Sequence, residues 1–198
     1  MECWYDKNLH KSVNAFTKKE PLLDQVNHGV VLKELFSLIP NGANTVIDLG
    51  CGNAKTSTVV GSRSYTGVDL PNNIKTIGKV NYPNLEFISC NILVDDISFI
   101  RKYNIILMNA LIDVMEHPLA ILESILRHYN PYVLIHCQEV IDAKTHVTKN
   151  PSYTGFTYHS LVNRKSLVSL FHQYHFEVLK EVDAGFGGNW RSFLLCKR

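Results

Sequence analysis

The stretch Thr45-Val-Ile-Asp-Leu-Gly-Cys-Gly-Asn53 decides the fold class of this chain. It begins as an apolar strand that contains a carboxylate, Asp48, and passes directly into a glycine turn at Gly50 and Gly52. Glycine adopts positive φ at little cost, and because it has no Cβ it lets backbone N–H groups approach a ligand closely. A Gly-x-Gly turn directly after a strand is typical of a nucleotide-cofactor site.

The charge of Asp48 indicates which cofactor suits this turn. A pyrophosphate would be repelled by a carboxylate, whereas a ligand that carries an ammonium and a sulfonium would be attracted to it. The dinucleotide pattern G-x-G-x-x-G also fails, because Lys55 stands where close helix packing requires Gly or Ala. The spacing around Lys55 does not match a P-loop either. The residues therefore favour S-adenosylmethionine over NAD.

Length and composition indicate an ordinary globular protein. The 198 residues suit a single domain spanning residues 1–198, and the 45% apolar and 19% charged residues are typical of soluble proteins. A net charge of +2 is too balanced to indicate a nucleic-acid or membrane partner. Apolar runs stay well short of the about 20 residues of a membrane helix, and the N-terminus has no apolar signal region. We therefore expect a cytoplasmic protein, and its oligomeric state stays open.

The cysteines and histidines do not indicate a metal or disulfide framework. The five cysteines form no C-x-x-C pair, which favours reduced thiols in a reducing compartment. His172 and His175 could share a helical face, but no third ligand lies near them in the sequence. We therefore expect no metal.

Strands and helices alternate along the chain. The pattern predicts helices at 21–39, 54–60, 74–80, 118–129 and 163–174, and strands at 45–49, 65–69, 85–90, 103–108, 132–136, 176–182 and 190–196. Alternation of this kind indicates parallel βαβ units, and the short glycine-rich turn between the last two strands indicates an antiparallel hairpin. We predict an α/β fold with a Rossmann-like, seven-stranded, mostly parallel sheet, a C-terminal antiparallel hairpin and helices on both faces. Residues 1–20 form an N-terminal cap segment in this interpretation, and residues 142–160 a substrate or lid segment.

Polar residues follow the predicted strands at their carboxyl ends, where open parallel sheets bind ligands. They are Asp48, Asp69, Asn91, Asn109, Gln138 and Glu139. A carboxylate at the end of the second strand, such as Asp69, can accept hydrogen bonds from both ribose hydroxyls. The alternative is that Asp69 only favours the turn before Pro71.

From about residue 22 to residue 198 the chain resembles class I S-adenosylmethionine-dependent methyltransferases. Val46-Ile-Asp-Leu-Gly-Cys-Gly52 matches the first motif of that family, and Thr66-Gly-Val-Asp69 resembles the second. Phe87-Ile-Ser-Cys-Asn91 occupies the place of the adenine-binding motif. The segment from Tyr103 to His117 resembles the fourth motif, including its Glu-His ending.

The resemblance implies a role for each matching residue. Asp48 and the glycines would hold the methionine end, Asp69 the ribose and Asn91 the adenine edge. The implied cofactor-binding set is Asp48, Gly50, Cys51, Gly52, Asp69, Leu70, Asn91, Ile92, Asn109 and Ala110. Two positions depart from the family pattern, since Ala54 replaces a frequent third glycine and Asn91 replaces a more common Asp.

A hydroxyl acceptor would require a base, and His117 is the candidate that we predict. In the alternative interpretation, His117 is the N-cap residue of the helix that begins at Pro118. Glu139, His136 and His159 are further candidate bases. For the acceptor we predict contacts from Glu139, Tyr153, Tyr158 and His159, and Phe156 could complete an aromatic lid. Trp4, Tyr5 and Phe16 could cap the cofactor. Both aromatic groups could instead serve packing.

The expected function is transfer of a methyl group from S-adenosylmethionine to an oxygen or nitrogen of a small-molecule acceptor. Asn150-Pro-Ser-Tyr153 resembles the signature of enzymes that methylate amide or base nitrogens, but it follows the fifth strand where a turn is expected. A protein or nucleic-acid methyltransferase, and a methyltransferase-like subunit without catalytic activity, are the alternatives.

Overall fold

The computed structural model describes residues 23–152 and 155–198. The predicted N-terminal cap segment, with Trp4, Tyr5 and Phe16, lies outside the described residues, and so does Tyr153. No helix in the described ranges has the length and apolar character needed to span a membrane.

Nine strands and three helices of nine or more residues form the described part of the chain. The strands are β1 (Thr45–Leu49), β2 (Ser64–Asp69), β3 (Glu86–Ser89), β4 (Ile105–Asn109), β5 (Tyr132–Ile141), β6 (His146–Ser152), β7 (Gly155–Asn163), β8 (Phe176–Asp183) and β9 (Trp190–Lys197). The helices are α1 (Asn27–Ser37), α2 (Pro118–Leu126) and α3 (Arg164–Gln173). Short 3-10 turns lie at Leu23–Gln25, Lys55–Thr58, Ser98–Lys102 and Ile112–Val114.

The sheet has the predicted Rossmann-like topology. Five parallel strands lie in the order β3-β2-β1-β4-β5, and β9 and then β8 continue the sheet as the antiparallel hairpin. Strand order reverses between β1 and β4, where Ile47 lies beside Ile106. In such a sheet the crevice beyond the carboxyl ends of the strands at this reversal binds ligands. Asp48 in β1 and Asn109 at the end of β4 lie at this reversal, so the fold predicts a ligand site beside them.

Both faces of the central strands are buried. On β1, Val46 packs into one hydrophobic cluster and its neighbour Ile47 into the other, because successive side chains point to opposite faces. The same alternation separates Ile105 from Ile106 on β4. A sheet covered on both sides explains why these strands read as continuous apolar runs.

Arg63 joins the end of helix α1 to the central sheet. Its guanidinium donates to the carbonyl oxygens of Ile39 at 2.8 Å, Phe36 at 3.2 Å, Ala43 at 3.0 Å and Val60 at 3.2 Å. The carbonyl of Ile39 lies just after the end of α1, where carbonyls lack partners within the helix, and Ala43 and Val60 lie in the loops before β1 and β2. They fix the loop that leads into β1.

Residues 142–160, predicted as a substrate or lid segment, are largely a β-hairpin. Strands β6 and β7 pair antiparallel, and β7 also runs parallel to the end of β5 through the pairs Val140–Val162 and Ile141–Asn163. The strand-forming residues Val147, Thr148 and Tyr158 favour this arrangement. Pro151, which indicated a turn, is tolerated because it lies near the end of a strand at the sheet edge.

The prediction of a helix at 54–60 was wrong in extent, since only the 3-10 turn Lys55–Thr58 forms. Thr56 instead donates its hydroxyl to Asp48, and Thr58 donates to the carbonyl of Lys55 at 2.8 Å. Ser and Thr side chains that bond locally compete with helix formation. Residues 71–81 form a longer helical segment than the predicted 74–80, with a π-helical centre at Ile74–Gly78.

Candidate active site

Asp48 is a buried carboxylate with one oxygen free for a ligand. Its side chain is 1% exposed, and Oδ2 accepts hydrogen bonds from the hydroxyls of Tyr65, at 2.6 Å, and Thr56. Oδ1 has no hydrogen-bond partner among the described residues. Burial raises the pKa of Asp48 to about 7. A buried carboxylate of this kind favours a cationic ligand, because ionisation is costly without a partner.

The glycine turn next to Asp48 has the backbone geometry that the sequence predicts. Gly50 and Gly52 have φ of 71° and 52°, and a Cβ on Gly50 would lie 2.6 Å from Cδ1 of Leu111. The N–H of Gly50 donates to the carbonyl of Val68 at 2.8 Å, which anchors the turn to β2. Only glycine fits at position 50, because it alone tolerates both the φ and the contact with Leu111.

A cleft opens at the carboxyl ends of β1 and β4. It has a volume of about 170 Å³. Its lining residues are Leu23, His28, Asp48, Gly50, Cys51, Asn53, Lys55, Thr56 and Asn109. Four members of the predicted cofactor-binding set, Asp48, Gly50, Cys51 and Asn109, therefore line one cleft. Lys55 adds a positive charge to the cleft, and Asp48 a carboxyl group.

Asp69 joins the glycine turn to the start of the next helical segment. Its Oδ2 accepts from the N–H of Gly52 at 2.7 Å, and its Oδ1 accepts from the N–H of Leu70 and from Nδ2 of Asn73, both at 2.7 Å. A carboxylate offers about four acceptor positions, so three bonds leave capacity for a ribose hydroxyl. The turn role and the ribose role of Asp69 are therefore compatible.

Asn91 lies at the end of β3 and stabilises its own turn. Its Oδ1 accepts from the N–H of Leu93 at 3.1 Å, and its N–H donates to Oδ2 of Asp95 at 2.7 Å. One lone pair of Oδ1 remains for an exocyclic amine. The adenine contacts of Asn91 and Ile92 stay predictions.

The end of β4 presents backbone to the cleft. Ala110 has a φ of 48°, which is unusual for a residue with a Cβ, and its N–H donates to the carbonyl of His136 at 2.9 Å. Asn109, the preceding residue, lines the cleft. Strained backbone often accompanies functional sites. The role of Asn109 and Ala110 beside the sulfonium stays a prediction.

A second group of polar side chains lies beyond the ends of β4 and β5, and we call Asp113, Glu139 and His159 the acidic cluster. Nε2 of His159 lies 2.9 Å from Oε2 of Glu139. Asp113 is 7% exposed, and its Oδ1 has no hydrogen-bond partner within the described part of the chain. Burial raises the pKa of Asp113 to about 6, and the nearby charge of Glu139 adds to the increase while His159 opposes it.

Four rings connect the cleft with the acidic cluster, and we call His28, Phe186, Trp190 and His159 the aromatic row. Ring centroids are 4.8 Å apart for His28 and Phe186, 5.8 Å for Phe186 and Trp190, and 6.4 Å for Trp190 and His159. These are ordinary distances for interacting aromatic rings. His28 lines the cleft, so the row leads from the predicted cofactor site to Glu139.

His136 and His117 lie in opposite environments. His136 is 1% exposed, shares a 2.7 Å hydrogen bond with Oγ of Ser192, and has its pKa lowered to about 3 by burial. It is therefore a neutral, structural imidazole near neutral pH. His117 is exposed directly before α2 and is not among the residues that line the cleft. Its predicted role as a base stays a prediction.

Sequence reasoning missed four of the residues that this arrangement brings together. His28, Asp113, Phe186 and Trp190 were not predicted as site residues, although Asp113 lies only four residues after Asn109. Tyr158, predicted to contact the acceptor, is buried at 9% exposure. No group of three His, Cys, Asp or Glu side chains in residues 23–152 and 155–198 is arranged to hold a metal ion.

Comparison with solved structures shows the fold shared with methyltransferases. An S-adenosylmethionine-bound amino pentose methyltransferase of calicheamicin biosynthesis from Micromonospora echinaspora is 11% identical, with a TM-score of 0.64 and 100% of both chains covered. DesVI from Streptomyces venezuelae is 12% identical, with a TM-score of 0.64 over 98% of this chain and 100% of that one. Human N-acetylserotonin methyltransferase, in complex with S-adenosylmethionine, is 14% identical, with a TM-score of 0.61 over 85% of this chain and 52% of that one.

The sequence itself identifies the family. No curated protein sequence matches the chain. A family model described as a methyltransferase domain, however, matches residues 25–181. This range includes β1, the glycine turn, the acidic cluster and every residue that lines the cleft except Leu23. The match extends over most of the chain and confirms the predicted class of enzyme, so the chain belongs to the methyltransferase-domain family.

Proposed function

We propose that this protein transfers a methyl group from S-adenosylmethionine to an oxygen or nitrogen of a small-molecule acceptor. The observation that carries the proposal is the position of Asp48. Its free oxygen belongs to a cleft that also contains the glycine turn, and the aromatic row leads from that cleft to the acidic cluster. The proposed donor site and the proposed acceptor site therefore lie at the same edge of the sheet.

In the proposed donor site, different residues bind different parts of the cofactor. Oδ1 of Asp48 would accept a hydrogen bond from the ammonium of the methionine part of the cofactor. Lys55 carries a positive charge that would attract the carboxylate of the same methionine part. Asp69 and Leu70 would hold the ribose, Asn91 and Ile92 the adenine, and Asn109 and Ala110 the sulfonium side of the cofactor. When bound, S-adenosylmethionine supplies an electrophilic methyl group.

The protein's own contribution is mainly positioning and the handling of a proton. Holding the acceptor in line with the donor removes most of the entropic cost of the bimolecular reaction. A hydroxyl acceptor must also lose its proton. His117 and His159 are the candidate bases near this edge of the sheet.

Two observations support a small-molecule acceptor. The amino pentose methyltransferase and N-acetylserotonin methyltransferase, which share the fold, are named for small-molecule substrates. The acidic cluster contains two carboxyl groups beside one histidine, an arrangement that repels a polyanion such as a nucleic acid. Both observations favour a small-molecule acceptor over a nucleic-acid acceptor.

Calorimetry with S-adenosylmethionine and S-adenosylhomocysteine tests the donor site. Wild-type protein binds both, and Asp48→Asn and Asp69→Ala weaken both by at least tenfold. Glu177→Gln, which changes an exposed carboxylate on β8 paired with Arg198, leaves the affinities unchanged. Absence of heat with wild-type protein at millimolar ligand would contradict the proposal.

Release of S-adenosylhomocysteine tests the reaction. The protein is incubated with the donor and a panel of phenols, aromatic amines, aliphatic amines, sugars and carboxylic acids, and product is measured by mass spectrometry. Turnover of any member establishes methyl transfer. Donor binding without turnover of any small molecule would instead favour a partner subunit or a macromolecular acceptor.

A further inference from the structure

We propose that His159, held by Glu139, takes the proton from a planar, uncharged hydroxyl acceptor that stacks along the aromatic row. This inference rests on the proposed function and specifies its acceptor class and its base. Three independent observations carry it: the orientation of the His159 ring, the rings that lead to it, and the charge around it.

The bond to Glu139 determines which nitrogen of His159 can act as a base. A carboxylate only accepts hydrogen bonds, so Nε2 of His159, 2.9 Å from Oε2 of Glu139, carries the hydrogen. Nδ1 then keeps its lone pair. The His159 side chain is 40% exposed and that of Glu139 19%, so the imidazole is accessible while its partner is more enclosed. This is the arrangement of an oriented general base.

Regular structure holds the two residues in place. Glu139 follows a bulge in β5 around Cys137, whose φ is 60°, and His159 lies on β7. Nε2 of Gln138 donates to the carbonyl of Ser160 at 3.1 Å, and the hydroxyl of Ser160 donates to the carbonyl of Met115. These bonds join β5, β7 and the turn after β4. A pair built on strands is positioned more accurately than one built on loops.

The aromatic row indicates a flat acceptor. His159 and Trp190 are inclined by 26° and His28 and Phe186 by 18°, so both pairs are nearly parallel. Phe186 is 56% exposed although it is a large apolar residue, so its ring offers surface for a ligand. A planar ring stacks on such a surface, and the row extends from the donor cleft, at His28, to His159.

The charge of the acidic cluster excludes ionised acceptors. Glu139 and Asp113 repel a carboxylate or phosphate. An aliphatic amine would bind near them as an ammonium, which has no lone pair to accept a methyl group. A neutral hydroxyl avoids both problems, because it donates its hydrogen to Nδ1 of His159 and keeps its lone pairs on oxygen.

The proton and electron balance of the step is complete. The acceptor O–H bond breaks, its proton passes to Nδ1 of His159, and its electron pair stays on the oxygen. That oxygen forms the new bond to the methyl carbon, and the electron pair of the carbon–sulfur bond leaves with the sulfur. Glu139 balances the imidazolium charge, and the exposed face of His159 returns the proton to water.

The first experiment measures turnover of matched aromatic compounds. Catechol, aniline, benzoate and benzylamine differ in the reacting group, and cyclohexanol removes the planar ring. Catechol is expected to react fastest, by at least tenfold. A protein that binds S-adenosylmethionine but prefers aniline, benzylamine or benzoate contradicts this inference and leaves the proposed function intact. A protein that binds the donor and methylates none of the five contradicts the acceptor class.

The second experiment replaces the base. His159→Asn is expected to lower kcat about 100-fold or more with catechol while the donor affinity stays within twofold. His172→Asn, an exposed histidine in the last turn of α3, is the matched control and keeps full activity. His159→Asn with wild-type kcat overturns the proposal. Loss of activity in His117→Asn, with His159→Asn active, would assign the base to His117 instead.

The pH profile separates a base from a structural residue. Around His159 the ionisable groups are Glu139 on β5 and Asp113 in the turn after β4, whereas β9 presents Trp190 and β6 presents Thr148. In wild-type protein kcat is expected to rise with pH through the titration of one imidazole. The rise disappears in His159→Asn, and Glu139→Gln, which removes the carboxylate that orients the imidazole, alters the profile. A profile that is the same in all three proteins overturns the proposal.

NMR spectra recorded without S-adenosylmethionine test the contact between the acceptor and His159 through the ring resonance of that residue. The His159→Asn spectrum assigns the signal, and para-nitrophenol is the probe. Addition of the phenol is expected to shift the His159 resonance, because the neutral hydroxyl donates its hydrogen to Nδ1. An unchanged resonance at saturating para-nitrophenol overturns the contact between acceptor and His159.

Discussion

The hydroxyl of Tyr65 donates a hydrogen bond of 2.6 Å to Oδ2 of Asp48, and Thr56 donates a second bond to the same oxygen. Both internal donors therefore stabilise one oxygen and leave Oδ1 for a ligand. Burial outweighs the two hydrogen bonds, so the pKa of Asp48 rises to about 7. Near neutral pH a substantial fraction of Asp48 is protonated before a cation binds.

We predict that binding of S-adenosylmethionine weakens as the pH falls below 7. Asp48 must lose its proton to hold the ammonium, so each pH unit below its pKa of about 7 costs about tenfold in affinity. Calorimetry at pH 6 and pH 8 measures the difference, and buffers of different ionisation enthalpy detect the released proton. Asp48→Asn should bind weakly and equally at both pH values. Equal wild-type affinities at pH 6 and pH 8 would contradict the role of Asp48.

Asp113→Asn should stabilise the protein at high pH. The folded pKa of about 6 lies above the ordinary value of 3.8, so the folded state holds the proton more tightly than the unfolded state. The contribution of Asp113 to the free energy of unfolding is therefore complete below about pH 4, and it is lost as the pH rises through about 6. At pH 8 we expect Asp113→Asn to gain about 1–3 kcal/mol over wild type, and to gain little at pH 4. Urea unfolding at both pH values measures it, with Asp142→Asn as an exposed control.

Gly50→Ala should damage both stability and donor binding. The residue has a φ of 71°, and the added Cβ would lie 2.6 Å from Cδ1 of Leu111. A cost of about 1–3 kcal/mol in the free energy of unfolding follows, with a more than tenfold loss of donor affinity as the turn shifts. Gly42→Ala is the control, because its Cβ would meet no atom within 4 Å. Equal effects of the two substitutions would refute the geometric argument.

Arg63→Lys should lower stability without changing donor affinity. Four carbonyl oxygens accept from the planar guanidinium, and an ammonium cannot reproduce that geometry. We expect a loss of about 2 kcal/mol in urea unfolding, since several backbone carbonyls lose their donors. Arg101→Lys, an exposed arginine that donates to His128, should be neutral. A large change in donor affinity for Arg63→Lys would show that α1 and the cleft are coupled.

Local sequence patterns predicted the central sheet well. The boundaries of β1 were predicted to the residue, and β2 and β4 to within two residues, because strands buried on both faces read as uninterrupted apolar runs. The β6–β7 hairpin was not predicted as strands. Its residues alternate weakly, and Pro151 indicated a turn, so its pairing with β5 depended on tertiary contacts.

For the candidate site, the sequence alone indicated the donor side. Asp48, the glycine turn and Asp69 are close in sequence, and the short connection between the adjacent parallel strands β1 and β2 is enough to bring them together. Lys55 excluded a dinucleotide, and the family match confirms the methyltransferase class that these residues implied.

Only the tertiary structure decided how the acceptor side is assembled. Glu139 and His159 are separated by twenty positions in the sequence and meet because the bulge at Cys137 turns the end of β5 toward β7. Trp190 and Phe186 join them from the C-terminal hairpin. No local pattern encodes such contacts, because strand register and burial depend on the packing of the whole sheet. The stretch from Thr45 to Asn53 thus indicated the fold and the predicted donor site, and long-range packing brought together the residues of the proposed acceptor site.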